Sequence, residues 1–81
     1  MVLLTLLPAH KRTPDKEQLR QDVNHWIRTT KDADLVVDAE AVVRDPSRPE
    51  WLRPSYDLGD GLHLSVAGHR ALGAAVADAL R

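Results

Sequence analysis

Two short apolar runs along the chain predict buried strands. Val2–Leu7 is almost wholly apolar and stops at Pro8, a pattern typical of a strand covered on both faces of a parallel sheet. A buried helical turn is the alternative, because leucine favours helix as much as strand. Ala33–Asp38 holds the second run, Leu35-Val36-Val37, which is rich in β-branched residues and again predicts a strand.

Between the two runs the spacing becomes helical, from about Pro14 to about Thr29. Thr13 can accept hydrogen bonds from the free N–H groups at the helix start, and proline suits the first helical position. The apolar stripe expected on this helix comprises Leu19, Val23, Trp26 and Ile27. A strand, a helix and a strand in succession predict a right-handed βαβ unit with two parallel, neighbouring strands.

The second half divides into a proline-rich connection and a terminal helix. Ala39–Gly59 contains three prolines and many charges, which predicts a long irregular connection with at most a helical turn around Glu40–Arg44. From Ser65, which can cap a helix, the spacing is helical again. The expected buried face comprises Leu72, Val76 and Leu80. Gly68 and Gly73 weaken an isolated helix, so we expect both to mark close packing against a sheet.

The length and charge of the chain exclude several classes of protein. Its 81 residues make one domain at most, and two strands with two strong helices are few for a parallel sheet, so we expect one side of a larger α/β domain. The 11 Lys+Arg and 12 Asp+Glu residues argue against nucleic-acid partners and against attraction to anionic membranes. No apolar run approaches the roughly 20 residues that span a bilayer. Cysteine is absent, which removes disulfides and thiolate chemistry.

The stretch from Asp57 to His69 carries the candidate chemistry. Asp60 precedes His63 by three residues in a turn bracketed by glycines, which can place the carboxylate against the imidazole. A carboxylate on one ring nitrogen fixes the tautomer, so that the other nitrogen can take a proton from a nucleophilic hydroxyl. The structural alternative is a turn in which Asp60 bonds local backbone N–H groups and His63 merely packs.

The same stretch resembles the C-terminal block of the SGNH, or GDSL-type, hydrolases. In that family an Asp-x-x-His pair completes a Ser-His-Asp triad just before the last helix. The resemblance is carried by Asp60–Ser65, which reads Asp-Gly-Leu-His-Leu-Ser, and by Ala67–Arg70, which reads Ala-Gly-His-Arg. Upstream, Val2–Pro8 is similar to a central strand of that fold, Leu19–Arg28 to the following helix and Leu35–Ala39 to the next strand.

This resemblance implies a fold, a reaction and two site residues. The fold is α/β, a partial flavodoxin-like three-layer fold with a βαβ unit plus a C-terminal helix, in which residues 1–81 form the C-terminal part of a single SGNH-hydrolase-like domain. His63 is then the general base and Asp60 its orienting carboxylate. The implied substrates are small-molecule, carbohydrate or lipid esters, and neither a metal nor an organic cofactor takes part.

The family's nucleophile and oxyanion blocks have no counterpart in the chain. The serines are Ser47, Ser55 and Ser65, none of which follows Gly-Asp, and Asn24, the one asparagine, falls inside the first predicted helix. We therefore expect the chain alone to be inactive. The alternative function is a non-catalytic binding or assembly module, whose open sheet edge pairs with another copy or with a separate chain that carries the nucleophile.

Other polar and aromatic residues have structural interpretations beside functional ones. Asp38 ends a predicted strand on the side where α/β sheets bind ligands, and a loop-bonding carboxylate is its favoured alternative. Trp51 and Tyr56 could line a substrate groove, although pinning the connection to the domain is favoured. His10 and His25 are interpreted as packing or surface residues. A metal site is the alternative for the cluster of Asp57, Asp60, His63 and His69.

Overall fold

The computed structural model describes residues 1–10 and 12–81, and over those residues the chain is a small mixed α/β domain. It has three α-helices and two two-stranded sheets within that part of the chain. In chain order the elements are β1 (Val2–Leu4), α1 (Pro14–Thr29), β2 (Leu35–Val37), α2 (Ala39–Val43), β3 (Arg44–Asp45), β4 (Arg48–Leu52), a 3₁₀ turn (Pro54–Tyr56) and α3 (Val66–Ala79). None of these helices combines the length and the apolar character that a bilayer crossing requires.

The first sheet is the predicted pair of parallel strands. β1 and β2 pair from Val2 opposite Leu35 to Leu4 opposite Val37, and the Thr5 N–H extends the ladder by donating to the Val37 carbonyl at 3.2 Å. β1 is shorter than the apolar run Val2–Leu7 because the backbone of Leu6 forms hydrogen bonds with a side chain instead of with β2. Its N–H and carbonyl bond the Asn24 amide on α1 at 2.7 and 3.0 Å, which takes the place of a further strand.

Helix α1 begins as predicted, but its buried face is not the predicted apolar stripe. Ile27 is buried, whereas Leu19 and Trp26 are both exposed. The buried positions beside Ile27 are Arg20 and Asn24, which are polar. Their side chains find partners inside the domain, so a polar face of the helix is the one that turns inward.

The prediction of an irregular connection over Ala39–Gly59 is wrong in part. Helix α2 corresponds to the predicted helical turn, but an antiparallel hairpin of β3 and β4 follows it. Pro46 lies in the hairpin turn and Pro49 within β4, which tolerates proline because it is an edge strand. The hairpin serves the core, since Leu52 at its end packs with Val43 and Leu64.

Helix α3 starts at the predicted cap, and one of its two glycines is closely packed, although not against a sheet. The Ser65 hydroxyl accepts a hydrogen bond from the Gly68 N–H at 3.1 Å. A Cβ at Gly68 would lie 2.8 Å from the Tyr56 carbonyl oxygen, so the close neighbour is the 3₁₀ turn rather than a sheet. A Cβ at Gly73 would meet no atom within 4 Å, so the packing prediction is wrong there.

Candidate functional site

The candidate site is the turn that joins the 3₁₀ turn to α3. An antiparallel bridge between Asp57 and Leu64 closes it, and the Leu58 N–H donates to the His63 carbonyl at 2.9 Å. Leu64 is part of the hydrophobic core, so the second end of the turn is anchored by packing as well as by hydrogen bonds. The loop between these ends is therefore short and closed.

Inside the turn, two glycines allow the chain to wrap around one carboxylate. The Asp57 Oδ1 atom accepts hydrogen bonds from the N–H groups of Gly59 at 2.8 Å and of Gly61 at 3.0 Å. The φ angles of Gly59 and Gly61 are +127° and +73°, where side-chain-bearing residues are strained. The glycines flanking Asp60 are thus required by the backbone path, as the sequence suggested.

Asp60 and His63 lie in direct contact in this turn. The distance between Asp60 Oδ2 and His63 Nδ1 is 2.5 Å. The other carboxylate oxygen, Oδ1, accepts hydrogen bonds from the N–H groups of Leu62 at 2.9 Å and of His63 at 2.8 Å. Backbone bonds of the kind expected from the structural alternative therefore coexist with the carboxylate–imidazole contact, and they fix the carboxylate while it holds the ring.

These contacts favour the ionised form of Asp60. The hydrogen bond from the His63 side chain holds the pKa of the Asp60 carboxyl well below its ordinary value, and the backbone N–H groups of His63 and Leu62 act in the same direction. With Nδ1 donating to the carboxylate, Nε2 is the ring nitrogen left with a lone pair. The His63 side chain is 67% exposed and that of Asp60 40%, so a reacting hydroxyl could reach the ring from solvent.

A groove of about 410 Å³ opens beside Asp60. Its wall combines residues at the start of α1 with residues of the turn: Ala9, Arg12, Thr13, Lys16, Asp60 and Leu62. The volume is within the range of small-molecule sites. Arg12 and Lys16 bring positive charge to the same wall as the Asp60 carboxylate, and Ala9 and Leu62 provide apolar surface.

Ser65, the serine nearest to His63 in sequence, uses its hydroxyl to cap the start of α3. The Ser65 hydroxyl donates to the Ser55 carbonyl at 2.9 Å and accepts from the Gly68 N–H. A hydroxyl whose proton is bound to a backbone oxygen is not activated by a base. The geometry therefore gives Ser65 a capping role and offers no support for it as a nucleophile.

Asp38 has the structural role that its sequence position allowed. Its Oδ1 and Oδ2 atoms receive two hydrogen bonds from the Arg28 guanidinium at 2.9 and 3.0 Å, and Oδ1 also accepts from the Thr5 hydroxyl at 3.0 Å. It caps α2 through the Ala41 N–H at 3.4 Å. The hydrogen bond from Arg28 lowers the pKa of Asp38, against the opposing effect of burial.

Trp51 and Tyr56 both pin their segments to the domain. The Trp51 ring stacks on His10 with a centroid separation of 4.4 Å and an interplanar angle of 21°, and the Arg48 guanidinium carbon lies 4.1 Å from its centroid. Tyr56 packs against the core cluster that contains Leu64. Trp51 also lines a groove of about 430 Å³ between α1 and β4.

A buried ionic network on α1 and α2 was missed from the sequence. Glu40 contacts Arg20 at 3.0 Å and Arg28 at 2.5 Å, and it accepts a hydrogen bond from the Asn24 amide at 3.1 Å. The side chains of Arg20 and Glu40 are 1% and 2% exposed. Burial raises the pKa of Glu40, but the hydrogen bonds from Arg28 and Arg20 outweigh it and leave the pKa below its ordinary value.

One sequence signal for this network exists. Glu17, Arg20 and Asn24 recur at helical spacing on the face that also holds Ile27, which is the pattern of a polar group set into a buried face. Arg20 binds both carboxylate oxygens of Glu17, at 2.8 and 2.6 Å. His10, interpreted from the sequence as a packing or surface residue, does pack, because its ring stacks on Trp51.

Among the described residues, no three His, Cys, Asp or Glu side chains are grouped so that they could hold a metal ion. Asp60 and His63 are brought together, whereas Asp57 is bonded to backbone N–H groups of the turn and His69 is exposed on α3. No protein-family model matches the chain and no curated protein matches it, so the geometry of the Asp60–His63 turn is the basis for assigning a function.

Proposed function

We propose that this chain carries the acid–base half of an SGNH/GDSL-type ester hydrolase. His63 is the general base and Asp60 the carboxylate that orients it. The observation that carries the proposal is the 2.5 Å contact between Asp60 Oδ2 and His63 Nδ1 beside an exposed imidazole. The βαβ unit followed by a turn and a terminal helix is compatible with the partial flavodoxin-like three-layer fold that the sequence resemblance implies.

The chemistry follows from the direction in which the ring is held. With Nδ1–H bound to Asp60, Nε2 takes the proton of a serine hydroxyl while its oxygen forms a bond to the ester carbonyl carbon. The ring then gives that proton to the alcohol oxygen as the bond between carbonyl carbon and alcohol breaks. Water repeats the sequence on the acyl-serine. An ionised Asp60 stabilises the imidazolium in each half, and its low pKa keeps it ionised.

The nucleophile and the oxyanion donors come from outside the residues of this chain. No serine here follows Gly-Asp, and the hydroxyl of Ser65 is occupied by the Ser55 carbonyl. Without a nucleophile and oxyanion donors, a general base provides only a small part of the rate acceleration of ester hydrolysis. We therefore expect the isolated 81-residue chain to be inactive toward esters until a segment that carries a Gly-Asp-Ser block is supplied.

Activity of the purified chain tests this proposal. Its rate with p-nitrophenyl acetate should show no burst and should equal that of free imidazole at the same histidine concentration. His63→Ala should lower that slow rate no more than the matched variant His25→Ala, which removes an exposed imidazole on α1. Robust turnover that His63→Ala abolishes and His25→Ala leaves intact would show that the chain supplies its own nucleophile.

The state of the His63 ring tests the pairing independently of activity. Nitrogen-15 shifts should report Nδ1 as the protonated nitrogen of the neutral ring, because Asp60 accepts from it. Asp60→Asn should abolish this tautomer preference, since the carboxylate acceptor is gone. The same tautomer ratio of the neutral His63 ring in both proteins would refute the catalytic pairing.

A second candidate, a non-catalytic assembly module, is favoured by one observation on the sheet edge. Within the described residues β1 pairs with β2 alone, and the side chains of Val2 and Leu4 on this strand are exposed. An open strand edge with apolar side chains is a template for pairing with another chain. For this function the occupant is a second copy, with the two β1 strands adjacent in a continuous four-stranded sheet.

Mass in solution separates the two candidates. A folded, non-aggregating dimer that becomes monomeric in Leu4→Lys but not in the exposed control Leu80→Lys would favour the module. A monomer at all concentrations would exclude it. Sedimentation equilibrium with circular dichroism measures both the mass and the folded state.

A further inference from the structure

The imidazole of His10 lies in contact with the turn that carries Asp60 and His63. One face of the ring stacks on Trp51 of β4. A Cβ added to Gly61 would lie 1.5 Å from His10 Cε1 and 1.7 Å from Nδ1, so that edge of the ring occupies the space where a side chain at Gly61 would be. The ring therefore fills the interval between the β3–β4 hairpin and the turn.

Packing rather than hydrogen bonding holds the ring in this place. His10 Nδ1 is buried and has no hydrogen-bond partner among the described residues. A buried polar atom without a partner is unfavourable, so the polarity of the ring at that edge does not help to hold it in place. What the ring supplies is a rigid, flat shape with Trp51 on one face and the Gly61 backbone at its edge.

Gly61 is the position through which this contact can act on the candidate site. It directly follows Asp60, its φ is +73°, and its N–H is bound to Asp57. The other hydrogen bonds that hold the turn, to the Asp57 and Asp60 carboxylates and between Leu58 and His63, also join residues of the turn itself. The His10 ring is thus a contact from a distant part of the chain onto the backbone beside Asp60.

We propose that His10 is a positioning residue for the Asp60–His63 pair, an inference that rests on the function proposed above. His10 does not touch the reacting atoms. It blocks movement of the Gly61 backbone toward the hairpin and so keeps the Asp60 carboxylate at the distance at which it holds the His63 ring. Trp51 supports His10 from the other side, so the hairpin and the turn are held in one arrangement.

The first test measures the pair directly in a variant without the ring. In His10→Ala we expect the pKa of the Asp60 carboxyl, followed by carbon-13 NMR, to rise toward the ordinary aspartate value of about 3.9. The His63 nitrogen-15 shifts should lose the preference for the Nδ1–H tautomer. The control His25→Ala removes an exposed imidazole from α1 and should leave both signals as in the parent protein.

A merely structural ring would give a different result. If His10 only pins the hairpin, His10→Ala lowers the urea midpoint while the Asp60 pKa and the His63 tautomer stay unchanged, and the proposal is overturned. Global unfolding of His10→Ala would also count against it, because the ring would then support the whole fold rather than the turn. A folded variant with a raised Asp60 pKa supports it.

The reciprocal variant approaches the same contact from the other side. Gly61→Ala places a methyl group inside the His10 ring, so the ring must leave the Trp51 stack, and the ring-current shifts of His10 should disappear. Gly59→Ala is the control, since its φ of +127° is equally unsuited to alanine but no atom lies within 4 Å of the new Cβ. Its His10 ring-current shifts should remain.

Combining the two substitutions decides whether one contact is responsible. In the His10→Ala background the ring is gone, so Gly61→Ala should change the Asp60 pKa less than it does in the parent protein, since only the strain at its φ of +73° remains. Fully additive effects would overturn the proposal. An ordinary Asp60 pKa in the parent protein would refute the proposed function as well, whereas a low pKa that persists in His10→Ala refutes only the role of His10.

Discussion

Replacing Glu40 by glutamine perturbs the buried ionic network while keeping the shape of the side chain. The two Glu40 oxygens together receive Arg20, Arg28 and the Asn24 amide. Glutamine keeps one acceptor oxygen and turns an NH₂ group toward at least one of these donors. The charge that balances the buried Arg20 guanidinium is then removed without creating a cavity.

The structure indicates the size of the effect. Neutralising one partner of a buried ion pair costs about 3–5 kcal/mol, because the remaining charge stays buried and uncompensated. Arg20 retains the bidentate contact with Glu17, which places the expectation at the lower end, about 3 kcal/mol. The whole domain, at 81 residues, should be stable by roughly 4–12 kcal/mol, so the change removes a large share of its stability.

Urea unfolding near neutral pH, followed by far-ultraviolet circular dichroism, measures this loss through linear extrapolation. The matched control is Asp78→Asn, which neutralises a carboxylate in an exposed pair with Arg81 and should change stability by less than about 0.5 kcal/mol. A Glu40→Gln variant within about 1 kcal/mol of the parent would refute the reasoning. It would mean that Glu17 by itself compensates the buried charge of Arg20.

Two further predictions concern acid and the packing of α3. Arginine hydrogen bonds lower the pKa values of Glu17 and Asp38 in the folded chain. Their contribution to the free energy of unfolding is therefore complete above the unfolded pKa values of about 4.3 and 3.9 and is lost as the pH falls below them. A urea midpoint unchanged from about pH 6 to about pH 3 would contradict this. Gly68→Ala should destabilise by about 1–2 kcal/mol, because its Cβ would lie 2.8 Å from the Tyr56 carbonyl oxygen, whereas Gly73→Ala, in open space, should stabilise by about 0.5–1 kcal/mol in the same urea assay.

The helix starts and the Asp60–His63 turn were predictable because their causes are local. Thr13 and Ser65 cap helices through N–H groups three residues away, and Asp60 reaches His63 across the same interval. Asp60, Gly61 with its positive φ and His63 lie within four positions, so the backbone has few conformations available between the carboxylate and the imidazole. Local sequence was therefore enough to place the two proposed site residues in contact.

The hairpin and the buried face of α1 were predicted wrongly because their causes lie elsewhere in the chain. Pro49 argues against a strand by itself, yet β4 forms as an edge strand because Leu52 belongs in the core. Leu19 has the spacing of a buried residue but is exposed, while Arg20 is buried because Glu40 on α2 neutralises it. The periodicity of hydrophobic residues within one helix does not predict a salt-bridge partner on another helix.

By itself, the amino-acid sequence determined the order of β1, α1, β2 and α3, the parallel pairing of β1 with β2 and the Asp–His spacing of the candidate site. These follow from short-range periodicity, capping and backbone freedom. The tertiary structure decided which polar side chains are buried and that the His10 ring, rather than solvent, lies against Gly61. The physical reason is that burial and close contact depend on residues far apart in the chain, whose meeting is decided only when the whole domain packs.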